Sequence, residues 1–158
     1  MTQGKVSRRC SIPSGYIYTD VAFTFKRIIS EPVTIRIPEE MHKIARERVG
    51  NLTVEEFWVA GLNTAQRLVV LHRVSSGTLN ASLAHPRECF RVPILLSCAS
   101  VIFFHNHPSG NLEPSQEDIA LTKQLVESGR ILEIPVHDHL IVGAIDAGFT
   151  SFAERGLM

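Results

Sequence analysis

The sequence predicts an α/β domain in which helices pack on a mixed β-sheet. Its 158 residues suffice for one compact domain with a buried core. Hydrophobic residues make up 44% of the chain and charged residues 20%, which is typical of a globular protein. Short apolar runs bounded by turn residues are interleaved with stretches of helical periodicity, and this interleaving favours a mixed sheet flanked by helices.

The first helix is predicted over residues 38–49. Pro38 opens it, acidic residues follow in the first turn, basic residues stand near its end, and Gly50 comes directly after it. Each of these features is favoured at the helix end where it occurs. We therefore assign residues 1–50 to an amino-terminal extension that contains this helix, and residues 51–158 to the domain proper.

The rest of the chain alternates between strand and helix patterns. A predicted hairpin is followed by a loop, a helix that Pro93 kinks or ends, a buried strand, a second helix that ends near Gly129, and two short strands. The predicted ranges are 57–62 and 67–74 for the hairpin strands, 63–66 for their turn, 75–80 for the loop, 86–97 and 116–128 for the helices, and 101–104, 131–136 and 140–142 for the later strands. In the extension, VAFTF at 21–25 and VTIRI at 33–37 also alternate as short strands do.

The charge balance and the cysteines argue against several classes of protein. Sixteen basic and sixteen acidic residues give a net charge of zero, so no overall field draws the chain to DNA or to an anionic membrane. The three cysteines include no CxxC pair, which argues against a disulfide framework and a cysteine zinc site. No signal peptide and no membrane-spanning apolar run are evident, so a cytoplasmic location is expected.

The stretch HNHPSGNLEPSQED at 105–118 carries the chemically informative residues. His105 and His107 stand two apart at the end of the predicted buried strand. Residues i and i+2 of a strand face the same side, about 6–7 Å apart, so two such imidazoles can converge on one metal ion. Pro108 and Gly110 then turn the chain sharply.

A capped helix follows and brings a carboxylate toward the same place. Ser115 is a good N-cap residue, and Asp118 three positions later makes a pattern close to a capping box. Asp118 shares a helix face with Leu121, Thr122 and Leu125, so it should point inward, where a carboxylate needs a partner. Two imidazoles, one carboxylate and a water make a four-coordinate zinc site with one exchangeable position.

Each of these residues alone has a simpler interpretation. A histidine at a strand end is usually a surface residue or a hydrogen-bonded core residue, and an aspartate in the first helical turn usually serves the cap. The letters HNH also name a nuclease motif, but that motif is dispersed over a ββα unit rather than contiguous. The conjunction of HxH, a Pro/Gly turn and a capped helix favours a metal site.

The same residues resemble the JAMM metal motif, HxHP followed by SxxD, in the form found in bacterial RadC proteins. GTLN at 77–80, HPRE at 85–88, HNHPSG at 105–110, PSQEDIALT at 114–122 and HDHLIVG at 137–143 resemble RadC-type sequence in that order. The resemblance covers roughly residues 52–145. It implies a JAMM/JAB domain with an architecture like that of cytidine deaminases.

The resemblance also implies a ligand set and a cofactor. His105, His107 and Asp118 would bind one Zn²⁺ per chain. The Ser115 hydroxyl would help to hold a developing oxyanion.

A glutamate ahead of the first strand would act as the general base in this family. Glu55 is the first choice, because it stands two residues before Phe57 in an ExF pattern. Glu56 is the second choice, since a change of register by one residue exchanges the two. His139 either lies near the site or is a hydrogen-bonded residue at the edge of the core, and we favour the second interpretation.

Three functions of different class follow. The first is a zinc-dependent metallopeptidase or isopeptidase that acts on a protein or peptide. The second is a DNA-repair-associated or DNA-processing protein, which only the family name suggests. Residues 1–50 show no evident helix-hairpin-helix pattern. In this respect the chain resembles the short, stand-alone RadC-like proteins. The third is a zinc-stabilised interaction domain without turnover. We expect the hydrolase, with no membrane partner and with the oligomeric state left open.

Overall fold

The computed structural model describes residues 33–77, 84–144 and 147–158. Within them lie three helices and five strands. The helices are α1 (Pro38–Val49), α2 (Pro86–Leu95) and α3 (Gln116–Leu132), and the strands are β1 (Glu56–Leu62), β2 (Leu68–Ser76), β3 (Ser100–Asn106), β4 (Val136–Val142) and β5 (Phe149–Ser151). In this part of the chain, no helix is both long enough and apolar enough to cross a membrane.

The five strands form one mixed sheet in the order β2-β1-β3-β4-β5. β3 and β4 are parallel, and the other neighbouring pairs are antiparallel. Parallel neighbours need a crossover connection, and α3 lies in that connection. The predicted fold class, a mixed sheet flanked by helices, is confirmed.

Helix α1 packs on one face of the sheet. Its buried residues Met41, Ala45 and Val49 belong to the same core cluster as Ile102 and Phe104 of β3. The helix that we predicted within an amino-terminal extension therefore shares its core with the sheet.

Helices α2 and α3 pack on the opposite face. Phe90 of α2 and Leu121 of α3 form a second core cluster with Phe57 of β1 and Phe103 of β3. Successive side chains of a strand alternate between the two faces. His105 therefore lies on the same face as Phe103, which is the face that α3 covers.

Helix α3 is longer than predicted. It continues past Gly129 to Leu132, and Glu133 ends it with a left-handed φ of 56°. Gly129 serves close packing instead, because a Cβ there would lie 2.6 Å from the carbonyl oxygen of Ile134. The predicted strand at 131–136 is wrong, since its first two residues complete the helix.

Several other predicted boundaries change. One strand, β4, replaces the two predicted short strands and includes the HDH tripeptide. Its residues pair with β3 on one side and, from Leu140 onward, with β5 on the other. VTIRI is not a strand: within residues 33–37, Thr34 alone forms an isolated bridge, to Arg67. The ladder of β2 with β1 extends through Ser76, β3 continues to Asn106, and α2 ends at Leu95 with Pro93 inside it. The predicted strand at 21–25 and the end of the predicted loop at 75–80 lie outside the described residues.

Candidate metal centre

The candidate site lies at the carboxyl end of β3, where the chain leaves the sheet toward α3. β3 pairs with β1 on one side and with β4 on the other, so two neighbouring strands fix the directions of its side chains. His105 is completely buried and faces α3. Asn106, the next residue, points to the opposite face of the sheet.

Three side chains converge at this point. His105 Nε2 lies 3.0 Å from His107 Nε2 and 3.4 Å from Asp118 Oδ1. His107 Nε2 lies 3.5 Å from Asp118 Oδ2. The structure thus brings together the three residues that the resemblance implies as ligands, and it buries the Asp118 carboxylate between the helix and the sheet.

The donor atoms and their spacing fit a small divalent cation. Zinc binds imidazole nitrogen and carboxylate oxygen at about 2.0–2.2 Å, so neighbouring ligand atoms of a tetrahedral site are about 3.3–3.5 Å apart. His105 Nε2 is close to that spacing from His107 Nε2, at 3.0 Å, and from Asp118 Oδ1, at 3.4 Å, whereas the 3.5 Å from His107 Nε2 runs to the other carboxylate oxygen, Oδ2. Ligand atoms of Glu55, His105 and His107 also lie within 4.8 Å of one another, so Glu55 borders the same space.

Two of the three residues are held in the protonation state that binds metals. Burial lowers the pKa of His105 to about 4, although the Asp118 carboxylate opposes that effect. Burial also favours the protonated form of Asp118, but the bonds and charges supplied by His107, His105 and Ser115 outweigh it and hold the pKa of Asp118 well below its usual range. A hydrogen bond to Asp118 raises the pKa of His107 above its usual 6.5, against the effect of burial. A neutral His105 and an ionised Asp118 are the forms that bind metals, and a proton on His107 competes with one.

Ser115 caps α3 and holds one oxygen of Asp118. Its hydroxyl accepts the Asp118 N–H at 3.0 Å and donates to Asp118 Oδ2 at 2.6 Å, and its own N–H donates to the same oxygen at 2.8 Å. The predicted capping box is therefore present. The hydroxyl proton that we expected to hold an oxyanion is engaged by Asp118, so that role requires the hydroxyl to turn away from it.

The two candidate glutamates face opposite ways. Glu55 Oε1 lies 3.9 Å from His105 Nε2, and the Glu55 side chain is 22% exposed. Glu56 is buried on the other face, where its carboxylate pairs with Arg73 at 2.7 Å and accepts the Trp58 indole N–H at 2.9 Å. Of the two, Glu55 is the one that lies beside the histidines.

Asn106 fixes the backbone on both sides of Glu55. Its Oδ1 accepts the Glu56 N–H at 2.9 Å, and its Nδ2 donates to the carbonyl oxygens of Val54 at 3.1 Å and Leu52 at 3.4 Å. The middle residue of HNH therefore ties the segment that carries Glu55 to the strand that carries the histidines. Sequence reasoning missed this role, because the partners are backbone groups about fifty residues away.

Two buried residues lie behind His105. His139 Nε2 is 2.9 Å from His105 Nδ1, and His139 Nδ1 is 2.6 Å from Thr122 Oγ1. Burial lowers the pKa of His139 well below its usual value. His139 is thus both a buried core residue and a direct neighbour of the site, whereas Thr122 stood out in the sequence only as one member of an inward helix face.

Comparison with known proteins identifies the family. Residues 35–157 match the family model described as the RadC-like JAB domain. The chain belongs to the RadC-like JAB family. The matched range begins before α1 and ends after β5, so it takes in every helix and strand of the described residues.

Relatives of this RadC-like JAB domain carry the name UPF0758 protein. The one from Moorella thermoacetica is 47% identical over 137 residues, which are 87% of this chain and 57% of that protein. The one from Geobacillus kaustophilus is 48% identical over 122 residues, which are 77% of this chain and 53% of that protein. The chain thus spans about half the length of the curated relatives that it matches.

Proposed function

We propose that this RadC-like JAB domain is a zinc-dependent hydrolase that cleaves an amide or isopeptide bond in a peptide or protein. The observation that carries the proposal is the convergence of His105, His107 and Asp118 within 3.0–3.5 Å, with Glu55 beside them. Two imidazoles and one carboxylate leave a four-coordinate cation one open position. An open position is what distinguishes catalytic zinc sites from structural ones.

The chain's own residues would hold the cation through defined atoms. His105 and His107 would bind through Nε2, and Asp118 through Oδ1, because Ser115 already occupies Oδ2. His107 Nδ1 donates to the Asn111 carbonyl oxygen at 2.7 Å, which orients the ring with Nε2 toward the site. When bound, Zn²⁺ would lower the pKa of a water molecule from 15.7 toward about 7, and it would polarise the carbonyl group of the substrate.

Glu55 would act as the general base and then as the general acid. Its Oε1 would accept a proton from the attacking water and return it to the leaving nitrogen, which needs a carboxylate that reaches both. The bonds from Asn106 to the backbone before and after Glu55 favour this role, since they limit how far the carboxylate can move. Proton transfer by a positioned side chain contributes about 10²–10⁴-fold to a rate.

Ser115 has two roles in the proposal. It positions Asp118 through the capping box, and it would donate to a developing oxyanion if its hydroxyl turns from Asp118 Oδ2 during the reaction. The DNA-associated alternative receives no support from a chain of zero net charge. The alternative without turnover, a zinc-stabilised interaction domain, is separated from the hydrolase by experiment.

The test compares zinc-loaded wild type with Glu55→Gln and Glu56→Gln on a panel of peptides and lysine-linked isopeptides. Glu56→Gln is the matched control, because it makes the same chemical change one residue away on the opposite face. We expect Glu55→Gln to keep one zinc per chain and to lose about 10²–10⁴-fold in kcat. Glu56→Gln should keep both the zinc and the turnover.

Equal turnover by Glu55→Gln and wild type would contradict the proposed mechanism. No cleavage of any panel member by zinc-loaded wild type would favour the interaction domain over the hydrolase.

A further inference from the structure

The buried residues behind His105 form a chain of hydrogen bonds whose direction is set by its last member. Thr122 Oγ1 lies 2.6 Å from the Asp118 carbonyl oxygen and 2.6 Å from His139 Nδ1. A threonine hydroxyl has one proton to donate. Because a carbonyl oxygen can only accept, that proton goes to Asp118, and His139 Nδ1 must donate to the Thr122 oxygen.

The protonation of His139 in turn determines which ring nitrogen of His105 carries a proton. The His139 ring is completely buried and packs against the rings of Phe57, Phe103 and Phe152. Such apolar surroundings disfavour an imidazolium ion. A neutral His139 with its proton on Nδ1 has a lone pair on Nε2, which lies 2.9 Å from His105 Nδ1. His105 therefore carries its proton on Nδ1 and donates it to His139.

The proton on His105 Nδ1 determines the state of the other ring nitrogen, which faces the candidate metal site. A neutral His105 with its proton on Nδ1 has no proton on Nε2, the atom that faces Asp118 Oδ1 at 3.4 Å. His107 is oriented separately, since its Nδ1 donates to the Asn111 carbonyl oxygen, which turns Nε2 toward His105 and Asp118. Each imidazole is thus hydrogen-bonded through Nδ1, His105 to the buried His139 side chain and His107 to a loop carbonyl oxygen.

We propose that His139 and Thr122 are positioning residues that fix the ring orientation and the tautomer of His105, so that Nε2 is ready for a divalent cation before the cation binds. The identity of the cation rests on the proposed function, whereas the hydrogen-bond chain is a property of the protein without metal. Groups that orient a metal-binding histidine from behind typically change metal affinity by about 10–100-fold when removed.

The same chain of bonds couples two ligands to each other. Thr122 donates to the backbone carbonyl of Asp118, so it ties the first turn of α3 to His139, and His139 ties it to His105 on β3. A helix and a strand that supply ligands to one site are therefore joined through a route that does not pass through the cation. Ligands that are already held in place lose less conformational freedom on binding.

Nitrogen-15 NMR of the imidazoles in chelator-treated protein tests the predicted tautomers directly. We expect wild type to carry protons on Nδ1 of both His105 and His139. Zinc affinity, measured by competition with a chelator, tests what the arrangement does. Thr122→Val should weaken zinc binding about 10–100-fold, and Thr122→Ser, which keeps the hydroxyl, should restore it.

Ser128→Ala is the matched control for the loss of a hydroxyl from α3. The Ser128 hydroxyl donates to the Gln124 carbonyl oxygen at 2.7 Å, the same bond to the residue four positions earlier that Thr122 makes to Asp118. The Ser128→Ala variant should bind zinc as wild type does. A purely structural role of the threonine hydroxyl would instead leave the imidazole tautomers and the zinc affinity unmoved in Thr122→Val.

Two results would overturn the proposal: a proton on Nε2 of His105 in wild type without metal, or wild-type zinc affinity in Thr122→Val. Its failure is distinguishable from failure of the proposed function. Tight zinc binding with His105 protonated on Nε2 before loading would refute the positioning role alone. The predicted tautomers in a wild type that takes up no zinc would refute the metal site alone.

Discussion

Asp118 and Asp138 are both buried, and their carboxylates meet different surroundings. Asp138, near the start of β4, is surrounded by donors: Oδ1 accepts the N–H groups of His139 at 2.7 Å and Ala153 at 3.0 Å, and Oδ2 accepts the Ser151 hydroxyl at 2.6 Å. Both of its oxygens are therefore satisfied within the protein.

Asp118 accepts hydrogen bonds from Ser115 at Oδ2, whereas its Oδ1 faces His105 Nε2 at 3.4 Å. The pKa directions differ accordingly. Burial raises the pKa of Asp138 even though the hydrogen-bond donors around it favour the ionised carboxylate. The pKa of Asp118 is lowered although burial opposes that shift, because two imidazoles lie beside the carboxylate.

The two sets of surroundings suit different tasks, since Asp138 is satisfied within the protein and we propose that Asp118 binds a cation. Where backbone and hydroxyl donors meet both oxygens, as at Asp138, nothing further is needed. Where a carboxylate oxygen and imidazole nitrogens converge on one space, as at Asp118, the cation that we propose would complete the arrangement. Matched substitutions at Asp118 and Asp138 test this difference.

The largest expected effect is on zinc affinity. Asp118→Asn removes the charge from the predicted ligand, so we expect a loss of more than about 100-fold, beyond the 10–100-fold typical of groups behind the ligands. Asp138→Asn, the matched change at the other aspartate, should leave the affinity unchanged. Competition with a chelator measures both variants, and equal losses would remove the distinction between the two carboxylates.

The next effect is on the free energy of unfolding, for which we expect the larger loss at Asp138. In protein without metal, Asp138→Ala leaves the buried His139 N–H and Ser151 hydroxyl and the partly buried Ala153 N–H without their acceptor, so the free energy of unfolding should fall by about 3 kcal/mol. Asp118→Ala removes the acceptor of the Ser115 N–H and hydroxyl but keeps the backbone N–H that Ser115 caps, so it should cost about 1 kcal/mol. Urea unfolding at pH 8 compares the two, and a larger loss for Asp118→Ala would show that this carboxylate serves the fold first.

The smallest effect is the pH dependence of zinc binding. The pKa of His107 is raised above 6.5, and that of His105 is lowered to about 4. As pH falls below neutral, His107 takes up a proton that zinc must displace, while His105 stays neutral until about pH 4. Zinc affinity should therefore fall about tenfold per pH unit between pH 6 and 5, which corresponds to one proton.

A fall of about a hundredfold per pH unit in that range would mean that both histidines titrate there, against the lowered pKa of His105. No pH dependence would mean that His107 is not a ligand. Asp138→Asn should show the same slope as wild type, because its carboxylate does not face the site.

Much of this fold was predictable because its signals are local. The termini of α1 are marked by Pro38 and Gly50, and the bounds 38–49 are confirmed. Gly129 misled the prediction of the end of α3, because a glycine required by a neighbouring carbonyl oxygen looks in sequence like a glycine that ends a helix. The HDH tripeptide similarly resembled a break in β4, since a buried polar residue such as Asp138 reads as a loop residue until its donors are known.

Some residues of the candidate site could also be found from local sequence, and others could not. His105, His107, Ser115 and Asp118 lie within one short stretch, so their spacing and the family resemblance together brought them out. Asn106, Thr122 and His139 act through partners on other elements. The sequence left the place of His139 open between the site and the edge of the core, and it gave no sign of the roles of Asn106 and Thr122, because their partners are distant in the chain.

Zinc stoichiometry by elemental analysis, on wild type, His107→Ala and His137→Ala loaded at neutral pH, shows whether the protein has the metal centre. His137 is an exposed histidine of β4 and serves as the matched control. We predict one zinc per chain in wild type and in His137→Ala, and none in His107→Ala. The absence of zinc from loaded wild type, or its full retention in His107→Ala, would contradict a metal centre at the end of β3.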